Sequence, residues 1–359
     1  MRRVAAIALQ SGRRSRKRLC AEGCPWHRCI DFSKPLVPAA QRFNPSVPPA
    51  LDAVIQHHDC VAFVLVSQFR CSSHVAGSMR ICHLRNATLL VTLGKQRLLV
   101  DPMLSAPAAL PGFKVFGGGR RRNPLLPLPA DANQTIDDAT GVLITHEHPD
   151  HLDVPAIEWV KARQLPVWCS ETDAPNLTKK GLDAREIRDG DMGLSVEVIP
   201  ARHGHGLLGW LMGPVSGFFL ASPGEPSLYI TGDTVMTDQV KDAIERLQPE
   251  VVVAPAGAAN FGIGRDILFS MDELIALARL APRNVVFNHL EAIDHCPMSR
   301  KGLRETMDAA GVGERVYIPA DGEQLEFHSS VTDRRAVSQS RIRRRPGFQK
   351  WLTAKFAGT

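Results

Sequence analysis

Hydrophobic and polar positions alternate in short blocks from about residue 79 onward. Residues 87–93 and 96–100 are apolar runs joined by Gly94-Lys95, which predicts a β-hairpin closed by Asp101-Pro102. Residues 103–135 are rich in Pro and Gly and predict one long loop. Beyond it, short apolar runs predict strands at 141–145, 166–169, 195–200, 227–231, 250–254, 284–288 and 315–318. Spacings of three and four predict helices at 153–163, 237–247, 270–280 and 299–310. Ser270 and Glu273 fit a capping box at the start of the third helix. The order describes an α/β or mixed αβ plan without an internal repeat. The longest apolar runs fall far short of the roughly 18 residues a spanning helix needs, which argues against an integral membrane protein.

Charge divides the chain of 359 residues into three parts. The formal net charge is +6, yet residues 81–328 carry 23 Lys/Arg against 32 Asp/Glu. Residues 1–80 hold 12 Lys/Arg against 4 Asp/Glu, and residues 329–359 hold 8 against Asp333 alone. The expected domains are therefore a basic extension over 1–78, a catalytic body over 79–328 and a basic tail over 329–359. The extension has three readings: a transit peptide, a zinc knuckle from Cys20, Cys24, His27 and Cys29, or a disordered or mis-annotated stretch preceding a start at Met79. An acidic body opposes a nucleic-acid partner. Two cysteines beyond residue 82, Cys169 and Cys296, fit a reduced, cytoplasmic enzyme rather than a disulfide scaffold.

The chemistry concentrates after the strand at 141–145. There Thr145-His146-Glu147-His148-Pro149-Asp150-His151 offers three imidazoles and a carboxylate within six residues. Such a cluster cannot sit unpartnered in an apolar core. Neutral imidazole and carboxylate together suit transition metals. His203, Asp233 and His289 each follow a later predicted strand. Strand ends are where open sheets place their sites.

With these residues in order, the chain resembles the metallo-β-lactamase-fold superfamily over about residues 80–328. The resemblance implies an α+β fold, a four-layer αββα sandwich. It implies two divalent ions, Zn²⁺ or Mn²⁺ with Fe²⁺ as a further candidate. His146, His148 and His203 would hold one; Asp150, His151 and His289 the other; Asp233 would bridge them. Residues 83–90, 99–103 and 288–296 look most like the branch holding L-ascorbate-6-phosphate lactonase and the N-acyl-phosphatidylethanolamine phospholipase D enzymes. Asp233 stands where true β-lactamases usually carry Cys, which disfavours penicillin hydrolysis. The implied activity is hydrolysis of a small ester, lactone or phosphoester by a metal-activated water. The alternatives are a phospholipid-type phosphodiesterase docking through basic tails, or a metal-binding module without turnover. A homo-oligomer is compatible with either.

Several residues stay open on sequence alone. His205 rivals His203, and His295 rivals His289; each is otherwise a candidate proton donor beside Asp150. Asp101 at a strand end is a candidate to orient a ligand. Arg120, Arg121, Arg122 and Asn123 in the long loop, with Trp210 and Glu291, are candidate contacts to a small substrate, the arginines suiting an anionic group on it.

Overall fold

The computed structural model describes residues 77–261 and 266–329. The expectations for residues 1–76 and 330–359 lie outside these. Alternation builds two sheets. The first holds β1 (Ser78–Arg85), β2 (Thr88–Leu93), β3 (Gln96–Val100), β4 (Gly141–Leu143), β5 (Pro166–Cys169), β6 (Asp183–Glu186) and β13 (Gln324–His328), in the order β13-β1-β2-β3-β4-β5-β6. The second holds β7 (Ser195–Ala201), β8 (Val215–Ala221), β9 (Leu228–Ile230), β10 (Val251–Pro255), β11 (Asn284–Asn288) and β12 (Val316–Tyr317), in the order β12-β11-β10-β9-β8-β7. The helices are α1 (Ala132–Asp137), α2 (Val154–Arg163), α3 (Ala174–Lys179), α4 (Gly206–Leu211), α5 (Asp238–Leu247), α6 (Met271–Leu280) and α7 (Arg300–Ala309).

Strand β10 shows how the layers form. It is parallel to both neighbours and buried along its whole length. Such a strand needs apolar residues on both faces. Val251 and Val253 join Leu89, Val91, Leu98, Leu143 and Phe218 in a core between the sheets. Val252 and Ala254 face the other way, against Ile244, Leu274, Leu277 and Leu303 of the helices. On the far side of the first sheet, Leu99, Val142 and Val167 pack against Ile136, Ala156 and Leu177. Helix, sheet, sheet and helix are thus the four layers of an αββα sandwich.

Local signals set the helix starts. Asp153, Thr237, Ser270 and Ser299 each cap a helix through the side chain, and the Ser270–Glu273 capping box is formed. Strands β1, β6, β8 and β13 and the short helices α1, α3 and α4 were not expected, and three of these differences have a clear local cause or consequence. Strand β1 precedes the hairpin and turns it into a meander, with Met79 buried opposite Phe327. Strand β8 was hidden by Gly217, where a Cβ would lie 2.9 Å from the Ile230 carbonyl oxygen. The long loop ends early, because Ala132 and Ile136 bury one face of the short helix α1.

Candidate metal centre

The ends of β4, β7, β9 and β11 deliver side chains to one edge of the sandwich. His146, His148 and His203 form one group of donors. Asp150, His151, Asp233 and His289 form a second, and within each group the ligand atoms lie within 4.8 Å of one another. Asp233 Oδ2 is 3.2 Å from His151 Nε2 and 3.4 Å from both His289 Nε2 and His203 Nε2, so it touches both groups. Asp150 Oδ2 is 3.2 Å from His289 Nε2.

The outward nitrogen of each ring is already committed. Asp101 Oδ2 accepts from Thr145 Oγ1 at 2.6 Å and from His151 Nδ1 at 2.9 Å. Its Oδ1 accepts from the Thr145 amide at 2.8 Å. With its proton given to Asp101, Thr145 Oγ1 accepts from His146 Nδ1 at 3.0 Å. His148 Nε2 donates to the Met212 carbonyl and His203 Nδ1 to the Ile267 carbonyl, at 3.0 and 2.9 Å. His289 Nδ1 contacts Cys296 Sγ at 3.4 Å. These partners fix tautomers in the manner of metal-ligating histidines.

What remains points inward. His146 Nε2 faces His148 Nδ1 at 3.0 Å, and His151 Nε2 faces His289 Nε2 at 3.2 Å. Ring nitrogens crowded this closely around two buried carboxylates suit a cation, and five imidazoles with two carboxylates suit a divalent transition metal. The residues therefore fit the metal that their chemistry implies.

Electrostatics separates the groups. Burial pulls the pKa of His146 well below the ordinary value and that of His203 down to about 4. Burial also opposes a charge on His151, yet Asp233, Asp101 and Asp150 outweigh it and raise its pKa to about 10. His289 moves up against burial as well, with Asp233 the largest opposing influence. Burial opposes ionisation of Asp150 and Asp233, but the facing imidazoles hold both well below the usual carboxylate range.

Backbone strain gathers around the site. Asn86, Asp101 and His289 are non-glycine residues with φ of 56°, 44° and 60°. Asn86 is fully buried; its Nδ2 donates to the Asp150 carbonyl at 3.1 Å, and its carbonyl accepts from the His289 amide at 2.9 Å. It thereby ties two donors of the acidic group to the β1–β2 turn. Gly257 permits the approach of His289, since a Cβ there would lie 2.4 Å from the His289 carbonyl oxygen.

A cavity of about 320 Å³ opens beside these donors, lined by Gly112, Phe113, His148, Pro149, Asp150, His203, Met212, Phe261 and His295. Of the two candidate proton donors, His295 is on this wall. His205 is not; it occupies the N-cap position of α4 and is partly exposed. The six expected substrate contacts are also placed elsewhere. Arg120 Nε donates to the Gly112 carbonyl, and Arg122 donates to the carbonyls of Ala108 and Ala109. Both guanidinium groups thus tie the loop to itself. The Arg121 amide and the buried Asn123 side chain donate to Asp294. Trp210 is 76% exposed, and Glu291 pairs with Arg300 at 2.7 Å. Sequence reasoning did not find Asn86, Thr145, Phe113, Phe261 or Met212. A signal was present for Asn86 alone, as a residue suited to a left-handed turn.

Residues 96–290 match the model of the Beta-lactamase superfamily domain. The UPF0173 protein YddR of Bacillus subtilis is 30% identical over 69% of this chain and 100% of its own length. The UPF0173 metal-dependent hydrolase PAE2160 of Pyrobaculum aerophilum is 25% identical over 69% of this chain and all of its own. Among solved structures, the isothiocyanate hydrolase from Delia radicum gut bacteria superposes with a TM-score of 0.65 at 29% identity, covering 70% of this chain and 100% of that one. A possible metal-dependent hydrolase from Veillonella parvula gives 0.65 at 27%, covering 69% and 99%. Fold, donor arrangement and relatives agree: the chain belongs to the beta-lactamase superfamily.

Proposed function

We propose that this chain is a metal-dependent hydrolase that holds two divalent cations, Zn²⁺ or Mn²⁺, and cleaves a small uncharged electrophile at carbon. The observation that carries the reading is the convergence of seven donors, with outward ring nitrogens already bonded, of which His148, Asp150 and His203 line a cavity. His146, His148 and His203 would hold one cation, and Asp150, His151 and His289 the other, with Asp233 shared. Cations there would acidify a water, from a pKa of about 15.7 toward 7, and polarise the reacting carbon. Asp150 lies on the cavity wall and is positioned to accept a hydrogen bond from that water. Asp101, through Thr145 and His151, keeps the rings oriented.

The cavity wall favours an uncharged substrate. Among the described residues it carries no lysine or arginine, and Phe113, Phe261, Pro149 and Met212 supply an apolar lining. A phosphoester, the third class the sequence suggests, would meet no lysine or arginine among the described wall residues. Esters and lactones fit better, in keeping with the lactonase-like motifs at 83–90 and 288–296. A second reading, hydrolysis of an isothiocyanate, is favoured by the relative named for that activity.

The test is elemental analysis of the full chain beside His148→Ala and Asp233→Ala, followed by a panel of 4-nitrophenyl acetate, γ-butyrolactone, phenyl isothiocyanate and bis(4-nitrophenyl) phosphate. About two metals per chain, sharply fewer in both variants, and turnover of a carbon-centred substrate are expected. No metal after reconstitution with Zn²⁺ or Mn²⁺ overturns the reading. Turnover of the phosphodiester alone overturns the substrate class.

A further inference from the structure

Among the described residues, His83, His146, His151, His203, His289 and His295 are buried. The first five use their ring nitrogens in the contacts described above or, for His83, on the carbonyls of Asn86 and Ala320. His295 differs. It is 7% exposed, its Nδ1 is buried without a partner, and its ring makes no hydrogen bond to a described residue. A buried polar nitrogen left unpaired is costly, and its persistence in a cavity wall needs a cause.

Packing rather than hydrogen bonding holds this ring. Phe113 meets it edge-on with centroids 5.6 Å apart and planes at 78°. Phe261 stacks against it at 5.9 Å and 11°. The adjoining Asp294 carboxylate accepts from the amides of Phe113 and Lys114 at 2.8 and 3.2 Å, from the Arg121 amide at 3.1 Å and from Asn123 Nδ2 at 3.0 Å. The Asp294 amide donates to Asn123 Oδ1 at 2.9 Å. Phe261 joins the same assembly, its carbonyl accepting from the Phe116 amide at 2.8 Å. The imidazole is thus fixed in place while its polar capacity stays unspent. It shares the cavity with His148, Asp150 and His203.

We propose that His295 is a substrate-contacting residue, whose imidazole hydrogen-bonds the heteroatom beside the reacting carbon while Phe113 and Phe261 flank a flat, uncharged substrate body. The inference rests on the hydrolase reading for the substrate's identity and deepens it to a class: an aryl or similarly flat ester, lactone, amide or isothiocyanate. Burial lowers the pKa of His295, which favours a neutral ring able to donate from one nitrogen and accept at the other. The Asp294–Asn123 pair acts as a positioning device, because it seats both His295 and Phe113.

Acetanilide, flat, neutral and slow to hydrolyse, serves as the probe, titrated by calorimetry into the Zn²⁺-loaded full chain. His295→Phe should weaken binding about tenfold or more with metal content unchanged. His295→Gln keeps a donor and an acceptor and should bind within about threefold of the unaltered chain. The imidazole ¹⁵N resonances of His295 should shift when acetanilide is added, which a purely structural histidine would not show. Equal affinity in His295→Phe, or no ¹⁵N shift at saturation, overturns the proposal. Absence of binding to the unaltered chain overturns it too. If His295→Phe loses its metals, the ¹⁵N shift decides alone. A chain that binds acetanilide through His295 but hydrolyses no ester, lactone or isothiocyanate removes the hydrolase reading and leaves this assignment standing.

Discussion

The two halves of the metal centre are built on opposite electrostatic plans. His146, His148 and His203 bring three imidazoles and no carboxylate, anchored through a hydroxyl and two main-chain carbonyls. Asp150, His151, Asp233 and His289 bring two carboxylates and two imidazoles, all buried and anchored by Asp101 and Cys296. Two of the three histidines of the first half line the cavity, whereas Asp150 alone does so in the second. The difference teaches a division of labour. On the proposed reading, the acidic half would supply the negative charge that retains a cation, and the all-histidine half would leave its cation less screened towards the cavity.

Breaking the shared member should erase the distinction. Asp233→Ala is expected to empty both halves and lower kcat/KM about a thousandfold or more, read by elemental analysis with steady-state kinetics. Single-half variants should come next. His148→Ala should cost one cation, and Asp150→Ala the other. Because charge favours retention in the acidic half, a chelator titration should strip His148→Ala less readily than Asp150→Ala. The opposite order would overturn the electrostatic division.

A subtler variant sharpens the comparison. Asp101→Asn keeps the shape but cannot accept from Thr145 and His151 as the carboxylate does. Cation affinity should fall by about 10–100-fold, more in the acidic half, and competition with a zinc-sensitive dye measures it.

The smallest effect lies outside the centre. Asp173 is a buried carboxylate with no imidazole facing it; Ser170 Oγ donates to it at 2.6 Å, and burial raises its pKa to about 6. A raised carboxylate favours folding below its ordinary value, near 3.8, and that contribution fades as pH climbs through about 6. Thermal melts should lose a few degrees across this window, and Asp173→Asn should flatten the loss with metal content unchanged. The same burial thus moves Asp173 up while histidines hold Asp150 and Asp233 down.

What the sequence disclosed follows the same line between local and distant. All seven donors lie in loops that follow strands, His203 after the antiparallel edge strand β7 and the rest after strands inside their sheets, so strand ends and residue type drew attention to them and the family resemblance completed the set. The Ser270–Glu273 box was legible because both partners lie within one turn. The cavity wall was not. Phe113 reaches Asp294 across 181 positions, and no local pattern announces that contact. Arg120 and Arg122 read as anion-binding residues because charge alone does not reveal that a guanidinium serves its own loop's carbonyls. Trp210 read as a pocket residue because hydrophobicity alone does not tell a rim from a wall.

Asp294 gathers one loop with four donors, and none of the seven candidate metal ligands takes part in that knot. Inheritance can therefore act on the two separately. Residues 106–122 can change their aromatic tips while the edge that carries the donors stays as it is, because the buried anchors of the loop lie at Met103 and Ser105 on one side and at Asp294 on the other. The wall of the cavity can thus be rewritten through one loop without touching the donor set.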